Sequence, residues 1–224
     1  MDLLHRFKEF ARQQQLFAPT DHLLLAVSGG IDSVVLCELC RQANYSFTIA
    51  HCNFQLRGLE SQRDEDFVRS LGKKYGVEVL VRQFDTSEYA TQQKISIQEA
   101  ARELRYTWFA TILEAKDTTA SLLLTAHHAD DNIETTLMHF FRGTGLRGLT
   151  GIPARNGLIR RPLLNFYKEE LIGFANENKL DFVEDSSNES SKYTRNFFRN
   201  EIIPAVSNVF PQVKENLAGN IRRF

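Results

Sequence analysis

Residues 22–33 read His22-Leu-Leu-Leu-Ala-Val-Ser-Gly-Gly-Ile-Asp-Ser33. A short continuous apolar run that stops at Ser-Gly-Gly is the pattern of a strand buried on both faces of a parallel sheet. Two glycines allow a tight turn and close approach of successive N–H groups to an anion. The helical pattern that follows, Asp32 to Ala43, offers a helix N-terminus to the same anion. Ser28 and Ser33 add hydroxyl donors, and Asp32 adds a carboxylate suited to magnesium. Read alone, the six residues also fit an ordinary strand-to-helix turn.

Outward from this stretch, periods of two kinds alternate. Leu3, Leu4, Phe7, Phe10 and Ala11 share one helical face. Phe47–Ala50 reads as a second strand. Ser61 caps a helix with Phe67, Val68, Leu71 and Tyr75 inward, and Gly76 ends it. Val77–Val81 is a third strand. Ser96-Ile-Gln-Glu99 is a capping box for a helix burying Ala100, Leu104, Trp108 and Ile112. Ser121–Ala126 is a fourth strand, and a helix runs from about Asp130 to Phe141. Four alternations in about 120 residues predict an α/β fold, a doubly wound parallel sheet with helices on both faces. Ligands then sit at the carboxyl ends of the strands, where loops begin at Ser28, His51, Phe84 and His127.

Composition sets outer bounds. The 224 residues, 42% hydrophobic, suffice for one full core. With 27 basic and 28 acidic residues the formal charge is -1, so bulk charge does not mark a nucleic-acid binder. Three cysteines, Cys37, Cys40 and Cys52, are too few for a disulfide scaffold. Residues 1–20 hold no apolar run fit for a signal peptide or membrane span, so a cytoplasmic protein is expected. Cys37 and Cys40 lie within the apolar pattern of the first post-loop helix and read as core thiols. No second pair completes a cluster, which disfavours sulfur transfer.

The densest polar cluster is His127-His-Ala-Asp-Asp-Asn-Ile-Glu134. Its spacing is not that of a zinc helix. Asp131 and Glu134, three apart, can aim from one helical face at the Ser28 loop. Between Arg142 and Lys168 lie Arg147, Arg155, Arg160 and Arg161 and no acid, a basic surface suited to RNA phosphates or a loop packed on the acidic remainder. Phe140, Phe141 and Tyr193 could stack on an unpaired base, although Phe140 and Phe141 read rather as core.

Lacking the lysine of Gly-Lys-Ser/Thr loops, Ser28–Ser33 resembles the Ser-Gly-Gly-x-Asp-Ser loop of the PP-loop (N-type) ATP pyrophosphatases. Further segments resemble, in order, those of tRNA(Ile)-lysidine synthases within that superfamily. They are His51-Cys-Asn-Phe-Gln-Leu-Arg57, with Phe54 where the family has histidine; Ser61-Gln-Arg-Asp-Glu-Asp66; Ser96–Arg102 with Arg105-Tyr106; and His127–Glu134. Arg142–Ile152, Arg161-Pro-Leu-Leu164, Glu184-Asp-Ser-Ser-Asn188 and Tyr193-Thr-Arg-Asn196 with Arg199 follow.

The resemblance implies a C–N ligase. It adenylates the wobble cytidine of tRNA(Ile) with a CAU anticodon, then joins free L-lysine to it, releasing AMP and pyrophosphate. It implies ATP over Ser28, Gly29, Gly30, Ile31, Asp32, Ser33 and His51, and magnesium on Asp32 and Asp131. Asp131 and Glu134 would meet lysine, and Asp32, Asp131, Glu134 and Arg105 would be catalytic. Arg142, Arg147, Arg160, Arg161, Arg195 and Arg199 would meet tRNA. Residues 1–208 are expected as the catalytic domain and 209–224 as the start of a linker helix toward an absent tRNA-binding region. No membrane partner is expected, and a homodimer is. The rival readings are another PP-loop enzyme, an amidating ligase or tRNA thiolase, and a non-catalytic RNA-binding module.

Overall fold

A computed structural model describes residues 2–115, 119–184 and 194–223. Its centre is β1 (His22–Ala26), flanked by β2 (Ser46–Asn53) and β4 (Ala120–Leu124), with β3 (Val79–Gln83) outside β2. All are parallel, in register through pairs such as Leu25 with Ile49 and Leu25 with Leu124. A sixfold order β3-β2-β1-β4-β6-β5 is completed by β6 (Ile159–Arg160), parallel to β4, and β5 (Arg155–Asn156), antiparallel to β6. The chain leaves β1 toward β2 on one side and reaches β4 on the other. The sheet's switch point, where such folds open a crevice, therefore lies between β1 and β4.

Alternation along β1 assigns the two layers. Leu23, Leu25 and Val27 face a core with Phe7 of α1 (Leu3–Gln13), Val35 and Leu39 of α2 (Ile31–Gln42), and Val68 and Leu71 of α3 (Leu59–Tyr75). Leu24 faces Trp108 and Phe109 of α5 (Ile97–Glu114) and Phe84. α5 opens with the expected capping box, Ser96 and Glu99 each accepting from the other's backbone N–H. Between them α4 (Thr86–Gln93) is a helix that the periodicity does not announce. It rests on an Asp85 cap that accepts from Glu88 N at 2.9 Å.

The third strand runs two residues later than Val77–Val81, because Gly72 must pack against Val79 and Val77 N bonds Gly72 O, ending α3. A third apolar cluster joins Ile133 of α6 (Ala129–Arg142) to Ile203 of α10 (Ile203–Ser207) and to Ala218 and Ile221 of α11 (Val213–Arg223). Residues 213–223 thus pack back on α6. α7 (Leu146–Leu149), α8 (Lys168–Glu177) and α9 (Thr194–Phe197) complete the set, α9 passing into a π turn at Phe198–Ile202. Phe140 and Phe141 are 61% and 67% exposed, which corrects their reading as core. They lie in the last turn of α6, where the two rings meet each other and Phe141 meets Phe198. Among the described residues no helix is long and apolar enough to cross a membrane.

Candidate active site

At the carboxyl ends of β1 and β4 lies a cavity of about 910 Å3, near the upper end of the usual small-ligand range. The Ser28 loop forms one wall. Gly29 takes φ +94°, and a Cβ there would stand 2.8 Å from Val183 Cγ2, so both conformation and space require glycine. Val183 N donates to Gly29 O at 3.0 Å and holds the turn. Ser33 Oγ donates to Gly30 O (2.8 Å) and sits 3.4 Å from Ser28 Oγ. Gly30 is the N-cap of α2 and no side chain caps that helix. Its first turn therefore faces the cavity as a ready anion site.

The opposite wall comes from β4 and the start of α6. His127 lines the cavity, with Thr125 Oγ1 at 2.9 Å from its Nδ1. Burial, with Arg161, Arg195 and Arg105 nearby, lowers its pKa to about 4 against the pull of Asp131, so the ring is neutral at neutral pH. Asp131 also lines the cavity. Its Oδ2 accepts His128 N at 3.0 Å, capping α6. Burial would raise this carboxyl, but the His128 charge and that N–H bring it below the ordinary range. His128 Nε2 stands 3.7 Å from Asp32 and 3.6 Å from Asp131, and its Nδ1 is 3.6 Å from Asp130. Three carboxylates outweigh burial and raise the imidazole's pKa.

Lys168, the first residue of α8, reaches in from a third element and donates from Nζ to Asp32 Oδ1 at 2.6 Å. Arg105 lines the cavity with its guanidinium over the Phe54 ring, 5.3 Å from the centroid, and Phe54 stacks on Phe84 at 5.7 Å. The departure from the family pattern at Phe54 thus supplies an aromatic floor for Arg105. Cys52 is the cysteine at the cavity, and burial pushes its thiol up to about 12. Cys37 and Cys40 are fully buried in α2, as read from the sequence, and burial raises both thiols.

The structure therefore brings Ser28, Gly30, Ile31, Asp32, Ser33, Arg105, Asp131 and Arg195 to one cavity. Other expected site residues sit differently. His51 is 3% exposed beneath the loop, its Nδ1–H donating to Val27 O at 2.8 Å, and it supports the turn from behind. Glu134 is buried, and both its oxygens accept from Arg199, at 2.6 and 2.9 Å. Burial lifts its carboxyl above the glutamate range although Arg199 pulls the other way. Arg199 also reaches Asp131 (3.3 Å), and Arg195 donates to Thr135 Oγ1 (2.9 Å).

Arg160 and Arg161 correct the expectation of a tRNA-facing pair. They are 8% and 5% exposed, and their guanidinium groups donate to the carbonyls of Leu16, Gly157 and Ile159, and of Pro153. Irregular backbone around the two-residue strands leaves carbonyls that need donors, and these arginines supply them. Arg142 and Arg147 are exposed. Asp185–Asn188 and Tyr193 lie outside the described residues. Sequence reasoning missed Lys168, whose only local signal is a cation in the first turn of a helix, against the helix dipole.

Residues 2–206 match the family model described as PP-loop domain. The chain is 47% identical over 212 residues to the tRNA(Ile)-lysidine synthase of Bacteroides thetaiotaomicron, covering 95% of this chain and 49% of that protein. It is 41% identical to those of Porphyromonas gingivalis (97% and 48% covered) and Chlorobaculum tepidum (92% and 62% covered). The chain spans about half the length of most curated relatives it matches. Among solved structures, the U34-tRNA thiolase NcsA of Methanococcus maripaludis superposes with TM-score 0.76 at 15% identity, covering 98% of this chain and 78% of that one. The NH3-dependent NAD synthetase of Campylobacter jejuni gives TM-score 0.59 at 15% identity, with 100% and 93% covered. At such identity the likeness is one of fold.

Proposed function

The chain belongs to the PP-loop domain family, and from that premise we propose that it is the catalytic region of a tRNA(Ile)-lysidine synthase, acting in the cytoplasm. The observation that carries this is the meeting, in one cavity, of an anion-binding loop with His127, Asp131, Arg105 and Lys168. The identity to curated synthases of that name, 38–47% over most of this chain in the relatives from Bacteroides, Porphyromonas and Parabacteroides, supports the substrates.

In the proposed reaction the phosphates of ATP lie over residues 28–33, and the 2-oxo group of the wobble cytidine attacks the α-phosphorus. Pyrophosphate leaves, its growing charge met by loop N–H groups, Arg105 and neighbouring cations. The ε-amine of free lysine then attacks C2, and AMP departs with the oxygen. Asp131, which lines the cavity, is the carboxylate proposed to pair with the incoming ammonium and to take its proton. Glu134 acts through Arg199, which it holds beside Asp131. Asp32 in the loop and Asp131 on the facing wall both line the cavity, and their carboxylates are the hard oxygen donors that would hold a magnesium ion. Such an ion, when bound, neutralises phosphate charge. Arg142 and Arg147, beside exposed Phe140 and Phe141, form the surface proposed for the anticodon loop. The expected homodimer belongs to the same proposal, and light scattering tests it.

Sulfur transfer finds no support, because only Cys52 of the three cysteines lines the cavity. The test is pyrophosphate release from ATP with a CAU anticodon stem-loop, with and without radiolabelled lysine. Release that needs the wobble cytidine, label joined to that base, and loss of both in Asp131→Asn are expected. Release indifferent to the cytidine, or a nucleophile other than lysine, refutes the assignment.

A further inference from the structure

Lys168 is held at both ends by acids from other elements. Its backbone N–H donates to Asp130 Oδ2 at 2.8 Å and its ammonium to Asp32 Oδ1 at 2.6 Å. It opens α8, a helix of 10 residues whose next two positions, Glu169 and Glu170, are the acids that a helix N-terminus favours. A cation at the first position is electrostatically misplaced there unless an anion faces it. Lys168 and Asp32 are 34% and 29% exposed in their side chains, so water reaches the pair. Ion pairs of such exposure contribute little to stability. The pair is therefore poor as a structural strut and well suited to exchange.

The geometry of the cavity gives the exchange its direction. Lys168 lines the cavity together with the open first turn of α2, which carries its partner Asp32. Resting on the nucleotide reading above, we propose that Lys168 is a further catalytic residue, one that exchanges Asp32 for the phosphate oxygens of ATP and stabilises the departing pyrophosphate. The compact ammonium has three donors and can follow an oxygen whose charge grows during the reaction. Its release frees the Asp32 carboxylate for the cation that accompanies the nucleotide. Asp130 fixes the backbone from which the side chain swings, and is itself anchored by Lys214 Nζ at 3.0 Å. The pairing spans 136 positions in sequence, which no local pattern could announce.

Calorimetry with the whole chain in magnesium buffer tests this, using α,β-methylene-ATP, inorganic pyrophosphate and AMP as separate probes. Loss of one charge-assisted hydrogen bond corresponds to about 10- to 100-fold in affinity. Lys168→Met is expected to weaken the ATP analogue and pyrophosphate by that factor and to leave AMP within about twofold. Lys168→Arg should keep most of the affinity. Lys168→Gln, which can still bond Asp32, is the second variant should methionine impair folding, and the same losses are expected of it. Unchanged analogue affinity in a folded Lys168 variant overturns the inference and leaves the ATP reading standing. An equal fall for AMP also overturns it, since that is the mark of a merely structural role. A wild-type chain that binds none of the three probes refutes the ATP reading itself.

Discussion

Arg199→Ala tests how the site is held together. Glu134 is 1% exposed in its side chain, with both oxygens on the Arg199 guanidinium, which is itself 37% exposed. Removing one member of a buried ion pair costs about 3–5 kcal/mol, because the other charge is left unpaired. Water can enter where Arg199 was exposed, so the lower end, about 3 kcal/mol, is the expectation. A domain of this size loses roughly 2–4 °C of Tm per kcal/mol, so a drop of about 6–12 °C is expected. The pH dependence carries a sign. Glu134's folded pKa is already raised by burial, and losing Arg199 raises it further. A group with a raised folded pKa contributes stability below its unfolded pKa and loses it as pH rises through the folded value. The Tm gap between wild type and Arg199→Ala should therefore be widest near neutral pH and narrow on acidification toward pH 5. Glu134→Gln/Arg199→Ala should recover much of the loss, since no charge is stranded. Differential scanning calorimetry from pH 5 to 8 measures all three. A Tm shift under about 2 °C, or a gap that widens with acid, would show that the pair is not what holds α6 to the π turn.

Gly29→Ala should lose about 2–4 kcal/mol in denaturant titrations, from the positive φ and the 2.8 Å approach to Val183, and ATP-analogue binding should fall with it. Loss of stability with full binding would dissociate the turn from the anion site. The three thiols should resist iodoacetamide at pH 8 in the native state and react after unfolding, since burial raises all three pKa values; rapid native labelling of Cys52 contradicts this. Arg142→Gln/Arg147→Gln should weaken stem-loop binding and reduce the slope of log K against log salt by about 1.4–1.8. Arg160→Gln should instead lower Tm, because it strands the carbonyls of Leu16, Gly157 and Ile159; an unchanged Tm with a lowered salt slope would reverse these roles.

What could be read from the sequence was local. The run His22–Ala26 with its glycines fixed β1, the loop and the switch point, because burial on both faces and a forced turn are properties of adjacent residues. The capping box at Ser96–Glu99 is of the same kind. The hairpin β5–β6 was not legible, since two-residue strands have no period to detect, and its invisibility misled the reading of Arg160 and Arg161. Charge in sequence says that a cation exists, and only the fold says what it faces. Lys168, 136 positions from Asp32, and Arg199, 65 from Glu134, show the same limit.

These pairings change the meaning of the near-zero net charge. Asp32 takes Lys168, Glu134 and Asp131 take Arg199, and Asp130 takes Lys214, so the C-terminal cations neutralise the acids at the ends of β1 and β4. Carboxylates packed this closely would otherwise repel one another and the phosphates of a nucleotide. The acid-free stretch from Arg142 to Lys168 accordingly divides in three. Lys168 serves the cavity, and Arg160 and Arg161 satisfy backbone carbonyls. The argument for RNA from charge then rests on Arg142, Arg147 and Arg155, which are exposed. Arg142 directly follows the exposed pair Phe140 and Phe141, and Arg147 lies five residues further on. A few cations beside stacking rings suit an unpaired loop better than a duplex, whose affinity would draw on a longer row of phosphate contacts.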